Sequence, residues 1–301
     1  MTGRPIFAVS MPVRGYADRV GEALASLAAQ GWPVRAALLD ATPDDSVQVA
    51  ARPYDGLIAY RYHHPDGGQS AAINEGWRAL DGEVLAWLNA DDLLFPDTLA
   101  LVGRLFAEDP ALDVVYGHAV HVTYDGRFIE YFPAISERPE DLRRGCCIAQ
   151  PSCFVRRRAV EKAGFLDEAR HYTMDWDLWC RLLESGARFR FLDLPLSLVR
   201  LHAETKTASG AERRFREIAE IARRHGDGVR ARLVEWRFRG GHLAANSAAW
   251  RLVRDLSRVL RPKRRLFGLD QGNRVEGACV LHLARLAATP AAALVFGAEG
   301  G

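Results

Sequence analysis

Acidic side chains that follow one apolar run are the first candidates for chemistry in this 301-residue chain. Val84 to Leu88 have the length and composition of a buried strand, and Asn89, Asp91 and Asp92 follow them. Unpaired negative charge does not stabilise packed strands, and ligands of open α/β sheets bind at the carboxyl ends of strands. Carboxylate oxygens there suit Mg²⁺ or Mn²⁺. The alternative is a solvated turn that caps a helix predicted from Pro96 to Phe106.

A second acidic pair, Asp175 and Asp177, begins another predicted helix. Leu178, Leu182 and Leu183 recur on one face of that helix. A helix start favours the ionised form of a carboxylate, and an ionised carboxylate can accept a proton from a substrate hydroxyl. The alternative is that both residues are only N-terminal helix charges.

Strands and helices alternate in the first part of the chain, where they can position these side chains. Ile6 to Met11 form a strand run that we expect to end at Pro12, Arg19 to Gln30 have helical spacing, and Arg35 to Leu39 form a second strand ending at Asp40. This strand–helix–strand order predicts a parallel sheet with right-handed crossovers.

A glycine pair precedes the next predicted helix. Leu57 to Tyr62 form a third strand, Asp66 to Gln69 a glycine-containing turn, and Ser70 to Leu80 a helix. Glycine lets the backbone approach a ligand, and a helix start offers N–H groups to an anion. The spacing is neither that of a P-loop nor Gly-x-Gly-x-x-Gly, so a surface turn is the alternative.

The second part of the chain predicts antiparallel strands as well. Asp113 to Val122 read as strand, Tyr124 to Arg127 are a hairpin signal, and a short strand is predicted at Phe189 to Leu192, after which Leu196 to Arg200 lead to His202. The sheet is therefore expected to be mixed. We expect Cys153 to be a small buried hydrophobe rather than a nucleophile, because no base partner is identified.

Composition excludes few classes of protein. The net charge is +2, 49% of the residues are hydrophobic, and the five cysteines form no Cys-x-x-Cys pair, so we expect no zinc site and a reducing cytosol. The N-terminus does not have the pattern of a signal peptide. The apolar run from Ala278 to Phe296 is interrupted by charged residues and Pro290, which predicts a packed helix pair rather than a membrane span.

A basic helix is predicted late in the chain, after a helix from Glu212 to Arg224. Between Arg251 and Arg261, aliphatic residues fall on one face and four arginines on the other. Such a helix can lie on an anionic membrane surface or pack on the domain with its arginines in solvent. No aromatic or motif pattern supports nucleic-acid binding.

Five segments, taken in order, resemble the motifs of family 2 glycosyltransferases, which have the GT-A fold. They are Ile6–Arg14, Asp66–Asn74, the DXD-like Asn89–Asp92, Met174–Trp179 and Arg200–His202. The resemblance implies an α/β fold with a mixed, mainly parallel sheet and helices on both faces. It covers roughly residues 5–207, so we expect a GT-A domain over residues 1–207 and a helical C-terminal extension over residues 208–301.

The resemblance also implies an activity: inverting, metal-dependent transfer of a sugar from a nucleotide-diphosphate sugar to a hydroxyl of a glycan or lipid-linked acceptor, in bacterial surface polysaccharide or glycoconjugate synthesis. By position, Asp175 is the expected general base, and Asp91 and His202 are the expected ligands of Mg²⁺ or Mn²⁺. A surface histidine is the alternative for His202. The implied donor-binding residues are Pro12, Arg14, Asp40, Gly68, Gln69, Asn74, Asn89, Asp92, His202 and Lys206.

The sequence departs from the family pattern in three places. The usual Asp-Asp-Gly-Ser is Asp40 to Pro43 here, and the usual Asn after the first strand is Arg14, so the nucleotide base is left open. Asn89 replaces the first Asp of DXD, a form that resembles a bacterial subgroup. An amide keeps an acceptor oxygen for a ribose hydroxyl but loses a charge.

Two other functions compete with this one. A sugar nucleotidyltransferase needs a longer glycine-rich loop with Arg and Lys than Pro12 to Gly15 provides. A non-catalytic module that binds carbohydrate or sugar nucleotide would not need both Asp91 and Asp175. The expected location is cytoplasmic, with peripheral contact at the inner face of the membrane as an open addition.

Overall fold

The computed structural model describes residues 3–132, 134–201 and 211–226 of the chain. His202, Lys206, the predicted helix from Arg251 to Arg261 and the apolar run from Ala278 to Phe296 lie outside these residues.

The first half of the sheet is parallel, as the strand–helix–strand order predicts. Strand β1 pairs in parallel with β2 on one side and with β4 on the other, and β2 pairs in parallel with β3. The elements of this half are β1 Phe7–Val13, α1 Ala17–Ala28, β2 Val34–Asp40, α2 Ser46–Ala51, β3 Ile58–His63, α3 Gln69–Ala79 and β4 Val84–Trp87.

Strand β1 continues through Pro12, where the sequence predicted its end. The carbonyl of Ser10 accepts a hydrogen bond from the N–H of Leu88, so even-numbered residues of β1 direct their backbone groups towards β4. The pairing of β1 with β4 ends at Ser10 and Trp87. The N–H that proline lacks therefore falls beyond the last ladder bond on that side, and the strand tolerates it.

The second half adds antiparallel pairs, so the sheet is mixed, as predicted. Strand β8 runs antiparallel to β4 and β6, whereas β6 and β9 are parallel. In the described residues the strand order is β3-β2-β1-β4-β8-β6-β9-β5, with β7 on β6. The remaining elements are β5 Leu93–Leu94, α4 Thr98–Glu108, β6 Val114–Thr123, β7 Phe128–Tyr131, β8 Cys153–Arg156, α5 Arg157–Ala163, α6 Met174–Glu184, β9 Phe189–Leu201 and α7 Ala211–His225.

Two predictions about these strands have different outcomes. The hairpin is confirmed, because β6 and β7 pair antiparallel and the N–H of Thr123 donates to the carbonyl of Arg127. The short strand predicted from Phe189 to Leu192 is longer in the structure, where β9 continues through Pro195 to Leu201. The register between β6 and β9 shifts next to Pro195, and this irregularity accommodates the proline.

Helices cover both faces of the sheet because successive side chains of a strand point to opposite faces. Phe7 and Val9 of β1 belong to a hydrophobic cluster with α1 and α4, whereas Ala8 belongs to a second cluster with α3, α5 and α6. Ile221 of α7 is buried in the second cluster. No described helix is long and apolar enough to cross a membrane.

Candidate active site

The first acidic cluster lies in the turn that joins β4 to β5. The N–H of Asp92 donates to the carbonyl of Asn89 at 3.1 Å, which closes the turn. Asp91 is half-buried, whereas Asp92 is only 2% exposed. The turn therefore presents one carboxylate towards solvent and holds the other beneath it.

The amide of Asn89 connects this turn to two neighbouring segments. Its Oδ1 accepts a hydrogen bond from Nε2 of Gln69 at 2.8 Å, and its Nδ2 donates to Asp92 Oδ2 at 2.9 Å and to Gln150 Oε1 at 3.3 Å. Gln150 in turn donates to the carbonyl of Trp87 at 2.6 Å. An aspartate at this position could not donate to Asp92. The amide of Asn89 thus orders the turn, and its contact with a ribose hydroxyl stays a prediction.

The two neighbouring carboxylates repel each other. Burial and the adjacent charge of Asp91 raise the pKa of Asp92 well above its usual range, although hydrogen bonds from Asn89 and from the backbone of Arg200 act in the opposite direction. A cation beside the pair would relieve both the repulsion and the cost of burial. Because Oδ2 of Asp92 accepts the hydrogen bond from Asn89, its contacts favour a role in supporting Asp91 over contact with the sugar.

The carboxylate pair fits a divalent cation that is bound partly by the protein and partly by a substrate. Within the described residues, no group of three or more His, Cys, Asp or Glu side chains is gathered around a metal position. Asp91 and Asp92 are hard oxygen ligands, and Mg²⁺ is usually held by one or two carboxylates together with substrate phosphates. These residues would hold such an ion.

Arg200 fixes the backbone of the same turn, a role that the sequence did not reveal. Its buried guanidinium donates through Nη1 to the carbonyl of Asp91 at 2.8 Å and forms an ion pair with Glu22 of α1. Arg200 stands in one of the five matched segments, which was the only signal available. Its partner Glu22 is 178 residues away in sequence.

Asp175 lies in the first turn of α6 and is half-buried. Its Oδ1 accepts a hydrogen bond from the N–H of Trp176 at 2.8 Å. Burial and, secondly, the charge of Asp175 raise the pKa of the thiols of Cys146 and Cys153 well above their usual range. Cys153 is therefore a buried thiol, as predicted, and Asp175 lies near the start of β8.

The start of α3 brings the two acidic turns together. Gln69 donates to Asn89 of the first turn, and the hydroxyl of the next residue, Ser70, donates to Sδ of Met174 at 2.8 Å. Met174 directly precedes Asp175. Two adjacent residues thus contact both candidate sites. A cavity of about 170 Å³ opens beside them, lined by Gly67, Gly68, Gln69, Ser70, Glu168, Arg170, His171 and Arg213.

Gly68 provides the backbone conformation that this junction requires. Its φ of +109° is one that side-chain-bearing residues rarely adopt, and it serves as the N-cap of α3. Its own N–H donates to Asp66 Oδ1 at 2.9 Å. The first turn of a helix carries N–H groups without intrahelical acceptors, which suits phosphate oxygens.

Asn74 makes packing contacts, and its role in binding the donor stays a prediction. The residue is 1% exposed, and its Nδ2 donates to the carbonyl of Leu166 and to Glu168 Oε1, both at 2.9 Å. Its Oδ1 accepts the N–H of Leu166 at 3.0 Å. Asn74 therefore ties α3 to the segment that leads towards α6.

Asp40 is likewise fully buried, with 0% exposure. Its Oδ1 accepts the N–H of Thr42 at 2.9 Å, and its Oδ2 accepts Nε2 of Gln48 at 2.6 Å. These contacts hold the carboxylate of Asp40 within the loop after β2, and its contact with the donor stays a prediction. Thr42 also accepts the N–H of Gly15 at 2.8 Å, so the loops after β1 and β2 are joined.

Pro12 and Arg14 lie at the carboxyl end of β1, beside this joined pair of loops. Arg14 is exposed and Pro12 is half-buried. Their position at the carboxyl edge of the parallel strands is the one where ligands of α/β sheets bind.

Asp177, the second acidic residue at the start of α6, is enclosed by cations. Its side chain has 0% exposure and lies 2.7 Å from Nε of Arg181, 3.1 Å from Nε of Arg170 and 3.5 Å from Nε2 of His225. Burial opposes ionisation, but hydrogen bonds and charges from His225, Arg181 and Arg170 lower the pKa of Asp177 to about 2. Asp177 is therefore ionised and is not directed at a substrate.

Comparison with known sequences reveals relatives of one kind. The model of the family described as Glycosyl transferase family 2 matches residues 8–165. An uncharacterized glycosyltransferase of Rickettsia typhi is 28% identical over 200 residues, which are 60% of this chain and 60% of that protein. The O-antigen biosynthesis protein RfbC of Myxococcus xanthus is 26% identical over 219 residues, 71% of this chain but 17% of that protein. The chain thus spans about 60% of the length of the Rickettsia relative.

Two solved structures with a similar fold contain a sugar nucleotide. S. aureus TarS 1–349 in complex with UDP-GlcNAc has a TM-score of 0.58 at 15% identity, covering 79% of this chain and 73% of that chain. The mannosyltransferase PcManGT from Pyrobaculum calidifontis, in complex with GDP-Man and Mn²⁺, has a TM-score of 0.56 at 18% identity, covering 87% and 82%. At these identities the likeness shows the GT-A fold and no more.

Proposed function

Because the chain belongs to glycosyl transferase family 2, we propose that it moves a sugar from a nucleotide-diphosphate sugar to an acceptor hydroxyl, with inversion at the anomeric carbon. One observation carries the proposal. The start of α3 contacts the Asn89–Asp92 turn through Gln69 and the start of α6 through Ser70. We therefore assign the group that holds the diphosphate and the group that accepts the proton to one proposed cleft beside this helix start.

The donor is proposed to bind along the carboxyl ends of the parallel strands. Its diphosphate meets the backbone N–H groups after Gly68, and its nucleoside lies towards Arg14 and Pro12. Asp91 would hold Mg²⁺ or Mn²⁺, and such an ion would supply positive charge to the diphosphate. PcManGT has Mn²⁺ together with GDP-Man, which supports a divalent ion. His202 and Lys206 remain proposed phosphate contacts.

Asp175 is proposed as the general base. Its carboxylate takes the proton of the acceptor hydroxyl while the hydroxyl oxygen forms a bond to the anomeric carbon on the face opposite the leaving group. The bond from that carbon to the diphosphate oxygen breaks in the same step, and nucleoside diphosphate leaves. The hydrogen bond from Trp176 to Oδ1 orients the carboxylate for this role.

The acceptor is proposed to be a glycan or lipid-linked hydroxyl in bacterial surface polysaccharide synthesis. The likeness to the O-antigen biosynthesis protein of M. xanthus supports this setting. Lipid-linked acceptors lie at the inner face of the membrane, which is where a cytoplasmic enzyme would meet them. The basic Arg251–Arg261 segment is consistent with contact to anionic lipid.

A thermal-shift panel of UDP-, GDP- and dTDP-sugars, with and without Mn²⁺, tests the donor proposal. A ligand that binds only the folded state raises the melting temperature, so one donor should stabilise the protein in a Mn²⁺-dependent way. Slow hydrolysis of that donor to nucleoside diphosphate would separate an enzyme from a binding module. Release of pyrophosphate from a nucleoside triphosphate and a sugar phosphate would instead identify a nucleotidyltransferase.

A further inference from the structure

A glutamate of α7 caps the entrance to the helix that carries Asp175. The carboxylate of Glu217 accepts the backbone N–H groups of His171 at 3.1 Å, Tyr172 at 2.7 Å and Thr173 at 3.2 Å, and the hydroxyl of Thr173 at 3.2 Å. Glu217 is 6% exposed. Successive N–H groups that converge in this way form an anion-binding concavity, and here a side chain of the chain itself occupies it.

Glu217 thus accepts the N–H of the N-cap residue of α6 and those of the two residues before it. Thr173 is the N-cap residue of α6, but its side chain makes no capping hydrogen bond within the helix. The N–H groups at a helix start need acceptors, and a carboxylate there also interacts favourably with the helix dipole. Burial opposes ionisation of Glu217, but the backbone hydrogen bonds lower its pKa, so the carboxylate is charged at neutral pH.

Further contacts fix α7 against α6. His225 lies 2.7 Å from Glu184 Oε1 at the far end of α6 and 3.5 Å from Asp177 in its first turn. Ile221, between these polar contacts, is fully buried in the core. Because α7 is held at more than one point, Glu217 cannot follow a shift of residues 171–173 without repacking.

We propose that Glu217 is a positioning residue for Asp175: its carboxylate sets the place and direction of the first turn of α6 and thereby the reach of the base to the acceptor hydroxyl. The inference rests on the proposed role of Asp175. It also assigns α7 to the catalytic unit, which then extends to about residue 225 rather than ending at residue 207.

The expected effect is on turnover rather than on donor binding. Glu217 acts on the backbone before Asp175, whereas the donor is proposed to bind Asp91 and the start of α3. A misplacement of about 1 Å can cost on the order of 100-fold in rate. Glu217→Ala should therefore lower kcat about 10- to 100-fold with donor Kd changed less than about twofold.

Two variants accompany it. Glu217→Gln keeps the size of the side chain and one acceptor oxygen, and it should lose less. Glu220→Gln is the matched control: Glu220 lies one turn further along α7, its side chain is 46% exposed, and its ion pair with Arg170 is 3.6 Å long. It should change kcat less than about twofold, the scale expected for an exposed ion pair.

A double-mutant comparison separates positioning from general structural damage. If Glu217 acts through Asp175, then Glu217→Ala should cost nothing further in an Asp175→Asn background. An equal loss in both backgrounds, or a Glu217→Ala enzyme as fast as the wild type, would overturn the inference. Hydrogen exchange of the amides of residues 171–176 is a readout that needs no turnover and should accelerate in Glu217→Ala but not in Glu220→Gln. A wild-type enzyme that transfers no sugar would contradict the proposed function, and unchanged exchange would contradict the cap.

Discussion

Asp175→Asn and Asp177→Asn form a matched pair of substitutions on one helix. The two residues are separated by a single position, yet Asp175 is half-buried beside the proposed cleft and Asp177 is enclosed by Arg170, Arg181 and His225. We expect Asp175→Asn to remove activity without loss of stability. We expect the primary effect of Asp177→Asn to be a loss of stability.

The magnitude for Asp177 follows from its electrostatics. A pKa lowered from 3.8 to about 2 corresponds to about 2 to 2.5 kcal/mol of folding free energy, at about 1.4 kcal/mol per unit. A neutral amide would also leave buried arginine charge without its partner, which brings the cost to about 3–5 kcal/mol. For a domain of this size each kcal/mol lowers Tm by about 2–4 °C, so Asp177→Asn should lower Tm by about 6 °C or more.

The pH dependence has a definite sign. The folded-state pKa of Asp177 is lowered, so its stabilisation is complete above the unfolded value of 3.8 and is lost as pH falls from there towards about 2. Thermal unfolding of wild type and Asp177→Asn should therefore differ most at pH 5–7 and converge as pH approaches about 2. Unfolding curves followed by circular dichroism would measure this.

The expected result for Asp175→Asn is a loss of turnover of roughly 10²–10⁴-fold, the range for removal of a general base. The amide keeps the size of the side chain, so Tm and donor Kd should stay close to the wild-type values. Transfer rate, donor affinity and Tm would be measured for both variants. An Asp175→Asn enzyme that turns over like wild type, or an Asp177→Asn protein with unchanged Tm, would refute the assignment of roles.

Three further predictions concern the Asn89–Asp92 turn and the predicted C-terminal extension. Asp91→Asn should abolish transfer and the Mn²⁺-dependent rise in Tm that the donor causes. The control Asp81→Asn, which changes a 97% exposed side chain, should affect neither. A preserved rise in Tm in Asp91→Asn would contradict the proposed metal site. Asn89→Ala should have a smaller effect than Asp91→Asn. Loss of the hydrogen bond from Asn89 to Asp92 should lower kcat by about 10-fold in steady-state kinetics, because a net loss of about 1–1.5 kcal/mol is typical. If the Arg251–Arg261 segment binds membrane, the protein should co-sediment with anionic but not neutral vesicles and release as salt rises.

The elements that carry the candidate site follow from local sequence patterns. Apolar periodicity predicted α3 from Ser70 to Leu80 and α6 from Met174, and the structure has them at Gln69–Ala79 and Met174–Glu184. The spacing of side chains along a helix or strand is a property of a few consecutive residues, so a short stretch of sequence reports it. The order of elements likewise predicted that Asn89–Asp92 would lie at a carboxyl edge of the sheet.

The roles of individual polar side chains were decided by tertiary contacts. Asn74 and Asp40 have residue types that can bind a donor, but folding buries both and gives their polar atoms protein partners. The amide of Asn89 is able to bond a ribose hydroxyl, and only its neighbours in space show that it orders the Asn89–Asp92 turn. The identity of a side chain limits which hydrogen bonds it can make, and the fold decides which of them are made.

The positioning residues were the least accessible to sequence. Glu217 and Thr173 are 44 positions apart in sequence, and Arg200 and Glu22 are 178 positions apart. No periodicity or motif connects such residues, because their proximity arises from the packing of whole elements rather than from local chain geometry. The sequence by itself therefore determined which groups could do the chemistry. The tertiary structure alone decided what holds them in place.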